Sequence, residues 1–356
     1  MAAVNPNVKE LSLDALSAWL GTHGEAAYRA RQIRQWIFQK GAEAFADMSD
    51  LSKDLRALLS RSFSIRRPTC ARLSRSADGT RKFLFALEDG SHIESVLIPA
   101  EVGGRLTLCI SSQVGCGMGC RFCATATLGL RRNLRACEIV DQVLEAKRSL
   151  RADPFADPLH AAITNIVFMG MGEPLHNYDA VVEAIGVLTA ESGVGFSPRR
   201  ITVSTVGLVP QMKRLLEDTR VNLAVSLSAT TDGVRGRLMP VNRKYPLAAL
   251  TDACRALPLP RRKRITFEYV MLSGENDSPA DARRLAALLA GIPAKVNLIP
   301  FNPFPESGFQ PTVRPAIEAF RAALLERGIH ATVRESRGSD IAAACGQLAG
   351  AELPAA

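Results

Sequence analysis

The chain has 356 residues, of which 47% are apolar and 22% charged, and a formal net charge of +9. This apolar content suffices for a large folded core and excludes long disordered tracts. The sequence predicts neither a transmembrane helix, which needs about 18 consecutive apolar residues, nor a secretory signal. We therefore expect a cytoplasmic protein without membrane contact, and the excess of basic residues favours a polyanionic partner such as RNA or DNA.

The first hundred residues predict helices followed by a small antiparallel sheet. Apolar residues at three- and four-residue spacing indicate helices over about 13–20, 28–38 and 51–60. Strand-like runs follow over residues 70–74, 82–87 and 93–98, with Asp-Gly pairs in the two turns between them. The segment 99–105, which contains two glycines, is the expected domain boundary.

Beyond this boundary, strands and helices alternate. The strand candidates cover residues 106–110, 163–169, 200–204, 221–227, 265–271, 295–299 and 330–334. The helix candidates between them cover residues 136–150, 178–191, 209–217, 247–256, 279–290 and 314–327. Such alternation predicts a parallel sheet with right-handed crossovers, which can close into a full or partial barrel. The active site of a barrel lies at the carboxyl ends of its strands.

Three cysteines, Cys116, Cys120 and Cys123, follow the first of these strands with the spacing C-x3-C-x2-C. A structural zinc site and an ordinary iron–sulfur cluster each take four protein ligands. Three ligands in one loop leave one coordination position of the metal open, and a metal reacts with its substrate at such a position. The alternatives are a buried cysteine cluster and an incomplete zinc site.

Small or polar residues follow several of the other strands. Gly172 allows close backbone approach to a ligand, and Glu173 can accept hydrogen bonds from an ammonium group. The remaining candidates are Ser204, Ser226, Leu227, Ser228 and Asn302. Small polar groups at successive strand ends suit a ribose or a carboxylate, although each one alone is also typical of a turn or a helix cap.

Two further cysteines stand apart from the triad. Cys109 lies on the first strand of the alternating region, and Cys345 lies in a polar, turn-prone C-terminal run that could reach the barrel mouth. The alternative for each is a buried, inert thiol. We assign no role to the other three cysteines, and eight cysteines in a chain of this length indicate a reducing compartment.

Basic residues are clustered at 61–82, 131–135, 199–200 and 261–264. Each cluster alone is typical of a solvated face. Together they favour a nucleic acid, because phosphate contacts supply the sequence-independent part of nucleic-acid affinity.

The cysteine spacing resembles the signature of the radical S-adenosylmethionine (SAM) superfamily. This resemblance implies a [4Fe–4S] cluster held by the three cysteines, with SAM on the fourth iron, and an α/β fold built as a partial (βα)6 barrel. The expected division is an N-terminal helical and β accessory domain at 1–100 for RNA recognition, a radical SAM core at 102–338 and a C-terminal loop at 339–356.

The match is closer to one family within this superfamily. The segments LCISSQVGCGMGCRFCATA, FMGMGEPLHN, RLMPVNRKYP, NLIPFNPFP and RGSDIAAACGQLAG resemble RlmN, the bacterial adenine-C2 RNA methyltransferases. The resemblance implies methylation of an adenine in the peptidyl-transferase region of 23S rRNA and of the adenine next to the anticodon in tRNA. It also implies an electron donor such as reduced flavodoxin, and we expect a monomer.

The same resemblance implies a ping-pong reaction with two SAM molecules. Cys345 carries the methyl group, Cys109 resolves a covalent protein–RNA adduct through a transient disulfide, and Glu94 accepts a proton. SAM contacts are expected at Gly172, Glu173, Ser204, Ser226, Leu227, Ser228 and Asn302. One departure is Ser228, where the family commonly has histidine.

Two other functions remain open from the sequence. A relative that methylates C8 of the same rRNA adenine and confers antibiotic resistance shares the triad and both partner cysteines. The run NPFP and the sizeable N-terminal region favour C2. A non-enzymatic iron–sulfur or zinc protein that binds RNA is the third possibility, and anaerobic reconstitution separates it from the enzymes.

Overall fold

The computed structural model describes residues 5–101, 103–153, 162–304 and 307–350. Three α-helices lie in the first of these ranges. They are α1 (Leu13–Thr22), α2 (Tyr28–Gln35) and α3 (Lys53–Ser62), as predicted. Ser12 and Ser52 cap α1 and α3, since each hydroxyl accepts a backbone N–H of the first turn at 3.1 Å. Their apolar faces pack into the main core.

Three antiparallel strands follow, at the predicted positions: β1 (Thr69–Arg75), β2 (Arg81–Ala86) and β3 (His92–Pro99). Gly79 and Gly90 adopt positive φ in the two turns, as Asp-Gly hairpins require. β3 then pairs antiparallel with β4 (Leu106–Cys109), with Val96 opposite Cys109. One continuous sheet therefore crosses the expected boundary at 99–105.

A small ribbon interrupts the alternation after β4. β5 (Gln113–Gly115) pairs antiparallel with β6 (Leu130–Asn133), and the short helix α4 (Ala124–Thr127) lies between them. The sequence analysis did not predict these three elements, because each is only three or four residues long and none shows a periodic apolar pattern.

The predicted parallel strands are all present. They are β7 (Asn165–Phe168), β8 (Ile201–Thr205), β9 (Asn222–Ser226), β10 (Ile265–Met271), β11 (Ala294–Pro300) and β12 (His330–Val333). The helices are α5 (Ala136–Arg151), α6 (Tyr178–Thr189), α7 (Val209–Asp218), α8 (Asp232–Leu238), α9 (Leu247–Ala256), α10 (Pro279–Leu288) and α11 (Arg314–Leu325). The sequence analysis did not anticipate α8.

The strand order of the large sheet is β1-β2-β3-β4-β7-β8-β9-β10-β11-β12. From β4 to β12 every neighbouring pair is parallel, so six strand–helix units are followed by a last strand. On β10, Phe267 and Tyr269 are buried under the helices, where Tyr269 contacts Phe320 of α11. Glu268, between them, points to the opposite face, so the inner face of the curved sheet is polar.

The N-terminal helices join the barrel through a buried ion pair. Lys9 precedes α1 and contacts Asp141 on α5, and both side chains are almost fully buried. Burial raises the pKa of Asp141 to about 6, while the Lys9 charge acts in the opposite direction. None of the described helices has the length and apolarity needed to cross a bilayer.

Replacing Lys9 with methionine is expected to lower the free energy of unfolding by about 3 kcal/mol, because it leaves the Asp141 carboxylate buried without a cation. Urea denaturation followed by circular dichroism measures this change. The matched control is the double variant Lys9→Met/Asp141→Leu, which removes both charges and should recover most of the loss. A double variant as unstable as the single one would contradict this account of the interface.

Candidate active site

The cysteine triad lies on a tight loop between β5 and α4. Gly115 enters this loop with φ +74°, and a Cβ there would lie 1.9 Å from the carbonyl oxygen of Gly129. The N–H of Cys116 donates to that same oxygen at 2.8 Å. Glycine is therefore required at position 115, since only a residue without a side chain lets the loop and the ribbon approach so closely.

The three thiols lie close together and are largely buried away from water. Burial raises the pKa of Cys116 to about 12, and it raises those of Cys120 and Cys123 as well. Negative charge on other cysteines of the triad raises the pKa of Cys116 and Cys120 further. Among the described residues, no three His, Cys, Asp or Glu side chains already stand at metal-ligand positions. The donor set fits a thiolate-bound iron centre, whose binding would release protons and draw the thiols together.

Glu173 follows β7 beside the triad. Its carboxylate accepts the N–H of Leu175 at 3.0 Å and the N–H of Val206 at 2.9 Å. Burial raises the pKa of Glu173 to about 7, and the charge of this carboxylate in turn raises the pKa of Cys116. Gly172 has φ +98°, and a Cβ there would lie 2.5 Å from the side chain of Gln113. The glycine thus lets Gln113 reach the Glu173 backbone and fix the carboxylate at the strand end.

The other strand-end candidates divide into two groups. Ser204 and Ser226 are half-buried on the inner face of the sheet, where a ligand can reach their hydroxyls. Leu227 belongs instead to the main apolar core. Ser228 is fully buried with φ +49°, and its hydroxyl accepts the N–H of Val270 at 3.3 Å. The backbone of both residues is also engaged, since Leu227 donates its N–H to Glu268 and the carbonyl of Ser228 accepts the side-chain amide of Asn276.

The C-terminal loop brings Cys345 to the triad. Its carbonyl accepts a hydrogen bond from the Asn302 side chain at 3.2 Å. The N–H of Ala124, next to Cys123, donates to the carbonyl of Gly346 at 2.7 Å. Asn302 was predicted to contact SAM. In the structure its amide holds the backbone of Cys345.

Glu94, on β3, fixes the end of the same loop. Its carboxylate accepts the backbone N–H groups of Ala349 and Gly350 at 2.8 and 3.1 Å, and its other oxygen lies 2.9 Å from Nζ of Lys82. Lys82 also donates to the carbonyl of Ala342 at 3.1 Å. Both side chains are buried. A carboxylate held by a cation and two N–H groups is a strong anchor in such surroundings.

Cys109 lies inside the barrel, within the electrostatic reach of Cys345. Burial raises the pKa of Cys109 to about 12, and the charge of Cys345 adds to the effect. Arg334, which follows β12, has its pKa raised mainly by Cys345, with smaller contributions from Glu268 and Cys109. The structure thus brings the two predicted partner cysteines together beside a guanidinium. All eight cysteines are described, and each is a free thiol, so the predicted transient disulfide is not formed in this state.

Sequence reasoning missed three charged residues of this region: Lys82, Arg235 and Arg334. Arg235 is fully buried and donates to the carbonyls of Val206 and Ser226 at the ends of β8 and β9. Burial lowers its pKa to about 10. In a chain with 44 basic residues, no local pattern separates these from solvated ones. The apolar run that follows Lys82 on β2 offered a weak signal, since Lys82 is buried together with that run.

The basic clusters do not form one surface around this site. Several arginines of the cluster at 61–82 already form ion pairs with acidic residues of the chain. The pairs are Arg66–Glu88, Arg67–Glu43, Arg67–Glu145, Arg75–Asp153 and Arg81–Asp153. The exposed clusters at 199–200 and 261–264 precede β8 and β10, so they lie at the amino ends of the strands, opposite the cysteine loop.

A partial parallel barrel with a three-cysteine loop after its first strand defines the class of radical SAM proteins. The family model of the radical SAM superfamily matches residues 110–286. A crystal structure described as a radical SAM methyltransferase from Sphaerobacter thermophilus superposes with a TM-score of 0.90 at 46% identity, covering 97% of this chain and all of that one. Both findings confirm the predicted fold.

The chain belongs to the RlmN family. The model of the ribosomal RNA large subunit methyltransferase N-terminal domain matches residues 6–65. A protein of Geobacter sulfurreducens named dual-specificity RNA methyltransferase RlmN is 52% identical over 97% of this chain and 92% of its own length. A protein of the same name from Pelobacter propionicus is also 52% identical, over 97% and 96%. This is the family whose resemblance the sequence motifs indicated.

Replacing Glu94 with alanine is expected to release the end of the C-terminal loop. Each hydrogen bond to a charged acceptor contributes about 1.5–3 kcal/mol, so amide exchange over residues 343–350 should accelerate at least tenfold. Hydrogen–deuterium exchange with mass spectrometry measures this rate. Glu88→Ala is the control, since Glu88 is a nearby acid whose described ion pairs are with Arg66 and Arg135, away from the C-terminal loop. Equal exchange in both variants would argue against the anchor.

Proposed function

We propose that this enzyme methylates C2 of an adenine in 23S rRNA and in tRNA by a ping-pong reaction through Cys345. The observation that supports it best is the seating of the Cys345 loop between the cysteine triad and Cys109. A methyl carrier must face the radical source on one side and its resolving thiol on the other, and this seating provides both.

The proposed substrates follow from the relatives, which are named dual-specificity RNA methyltransferases. Large-subunit rRNA in the peptidyl-transferase region and the tRNA adenine next to the anticodon are the two targets. We assign RNA recognition to residues 1–100, radical chemistry to residues 102–338 and the methyl carrier to the loop at 339–356. The enzyme acts as a cytoplasmic monomer and takes its electrons from a donor such as reduced flavodoxin.

Cys116, Cys120 and Cys123 would hold a [4Fe–4S] cluster as thiolates, which leaves one iron for SAM. Glu173 would accept hydrogen bonds from the amino group of that SAM, and Ser204 and Ser226 would offer hydroxyls along the inner face. When bound, the cluster and SAM would supply a 5′-deoxyadenosyl radical as the acceptor of a hydrogen atom from the methyl group on Cys345, and the oxidised cluster would be the acceptor of the electron that the adduct must lose.

Cys345 first attacks the methyl group of one SAM as a thiolate, forming a C–S bond as the S–CH3 bond of SAM breaks. Arg334 lies within electrostatic reach of this sulfur and offers a positive charge to the thiolate. After hydrogen removal, the methylene carbon on Cys345 adds to C2 of adenine, and Glu94 takes the C2 proton. Glu94 can do so only after it exchanges the Ala349 and Gly350 N–H groups for the substrate.

Cys109 then resolves the adduct. Its thiolate attacks the sulfur of Cys345, the bond from that sulfur to the methylene carbon breaks, and the carbon takes the electron pair and a proton to become the new methyl group. The resulting disulfide is reduced by an external dithiol. Burial raises the pKa of the Cys109 thiol, and the proton that this thiol loses balances the one that the new methyl group takes up.

Adenine C2 explains why this route is needed. This carbon is not nucleophilic, so it cannot attack the methyl group of SAM directly, whereas a carbon radical can add to it. The base must also leave its stack, since stacked RNA hides the C2 edge from an enclosed barrel site.

The direct test is mass spectrometry of Cys345 in protein purified from its host. A methyl group on this cysteine is the expected result and establishes the carrier. An unmodified Cys345 in protein that also acquires no methyl group from SAM in vitro would overturn the proposal. Chromatography of nucleosides from methylated RNA then separates 2-methyladenosine, as proposed, from the 8-methyl product of the antibiotic-resistance relative.

Replacing Cys109 with alanine is expected to trap the covalent protein–RNA adduct, because no thiol remains to break the bond between Cys345 and the methylene carbon. A denaturing gel should show an RNA-shifted protein band that nuclease removes. Cys345→Ala should abolish both the band and methyl transfer while SAM binding persists. Cys70→Ala, which alters an exposed thiol on β1, is the control and should turn over normally. A Cys109→Ala variant that releases methylated RNA would contradict the resolving role.

A further inference from the structure

A group of exposed arginines lies at the end of the barrel opposite the cysteine loop. β8, β9 and β10 are neighbouring parallel strands, so their amino ends lie side by side. Exposed arginines precede each of these strands. We call this group the basic face, and it consists of Arg199 and Arg200 before β8, Arg220 before β9, and Arg261, Arg262 and Arg264 before β10.

Hydrogen bonds hold the three segments of the basic face together. The side-chain amide of Asn222 donates to the carbonyl of Arg199 at 2.8 Å. Nζ of Lys263 donates to the carbonyls of Arg220 and Val221 at 2.7 and 3.1 Å. Burial lowers the pKa of Lys263, and the nearby charge of Arg199 lowers it further. The arginines therefore belong to one surface.

The charge of the basic face is not neutralised by the described part of the chain. None of the arginine side chains that define it has an ion pair, a hydrogen bond or a ring contact among the described residues. The segments 197–200 and 257–264 also contain no Asp or Glu. Like charges held together in this way repel one another, which favours the binding of a polyanion.

The chemistry of the basic face suits the phosphates of an RNA helix, because a guanidinium binds a phosphate through two parallel hydrogen bonds. A protein interface needs an apolar centre, and single-stranded RNA needs rings on which its bases stack. Phosphate contacts to a helical segment need neither. The exposed large apolar side chains of the described chain all lie outside the three segments; they are Tyr28, Leu128, Leu130, Val313 and Leu325.

The basic face is remote from the mouth of the barrel. β10 has seven residues, Ile265–Met271, which at about 3.3 Å per residue separate its two ends by roughly 20 Å. A hairpin whose loop fills the mouth directs its stem away from this face. A large folded RNA can instead place one segment in the mouth and a second segment, distant in its own sequence, at the opposite end.

We propose that the basic face binds the backbone of a second, helical segment of the rRNA substrate and thereby favours large-subunit rRNA over tRNA. The inference rests on the proposed function, because it takes both RNAs as substrates. It places a further RNA contact on the radical SAM core, in addition to the recognition assigned to residues 1–100. Since phosphate contacts release counterions, this contact weakens as salt rises.

The test uses the triple variant Arg200→Gln/Arg220→Gln/Arg264→Gln in the reconstituted enzyme. The probes are a long 23S rRNA fragment that contains the peptidyl-transferase region and a hairpin made of the tRNA anticodon stem and loop. Fluorescence anisotropy should show at least tenfold weaker binding of the long fragment at physiological salt. The slope of log K against log salt should fall by about 3, about one for each lost phosphate contact. Binding of the hairpin should not change.

Methylation with dithionite as the reductant gives a second readout. The KM for the long fragment should rise at least tenfold in the triple variant while kcat stays at the wild-type value, because the basic face contacts no reacting atom. Both constants for the hairpin should be those of wild type. A second variant, Arg199→Gln/Arg261→Gln/Arg262→Gln, removes the other arginines of the face and should give the same pattern.

The matched control is Lys213→Gln/Arg283→Gln/Arg314→Gln, which removes the same net charge from exposed positions of α7, α10 and α11. It should bind both RNAs as wild type does. Unchanged binding of the long fragment in both variants of the basic face would overturn the inference, and so would equal weakening of the two RNAs. Unchanged RNA binding with lost binding to phosphatidylglycerol vesicles would also overturn it and would assign the face to a membrane surface.

Failure of the proposed function gives a different result. The anisotropy measurements need no turnover, so they compare the two RNAs whether or not the enzyme methylates them. A wild-type enzyme that bound both RNAs but methylated neither would contradict the proposed function, and the effect of the triple variant on binding would still decide the role of the basic face.

Discussion

The site depends on one interaction, the binding of the C-terminal loop by the Glu94 carboxylate. Glu94 is buried on β3 and accepts hydrogen bonds from two backbone N–H groups of the loop. The ammonium group of Lys82 neutralises its negative charge. Since a buried carboxylate is costly without partners, the loop and the strand stabilise each other. This contact, with those of Asn302 and Ala124, determines where Cys345 lies. Without it the end of the loop beyond Cys345 would lose its charged anchor.

This arrangement changes how the N-terminal part of the chain contributes. Its hairpin strands continue the barrel sheet through the pairing of β3 with β4, and they supply Glu94 and Lys82 to the site. The large sheet therefore continues across the expected boundary at 99–105. The hairpin strands therefore form part of the active-site wall.

Much of the architecture was predictable because its signals are local. The helices and long strands follow from apolar periodicity, and the hairpin turns follow from Asp-Gly pairs. The ribbon of β5 and β6 was not predictable, since it is short and its pairing depends on Gly115 approaching Gly129. Ser228 shows a different limit. Its position in a motif suggested a ligand contact, but no local pattern showed that the residue is buried with its hydroxyl accepting the Val270 N–H.

The sequence by itself determined the class of chemistry, because three cysteines in eight residues and a few strand-end motifs are set by spacing along the chain. It also determined the family, which the relatives confirm over nearly the whole length. Only the tertiary structure decided that Cys345, 222 residues after Cys123, lies next to the triad and Cys109. The tertiary structure alone showed which charged residues are buried. A buried charge needs a partner, and these partners are distant in sequence and meet only in the folded chain.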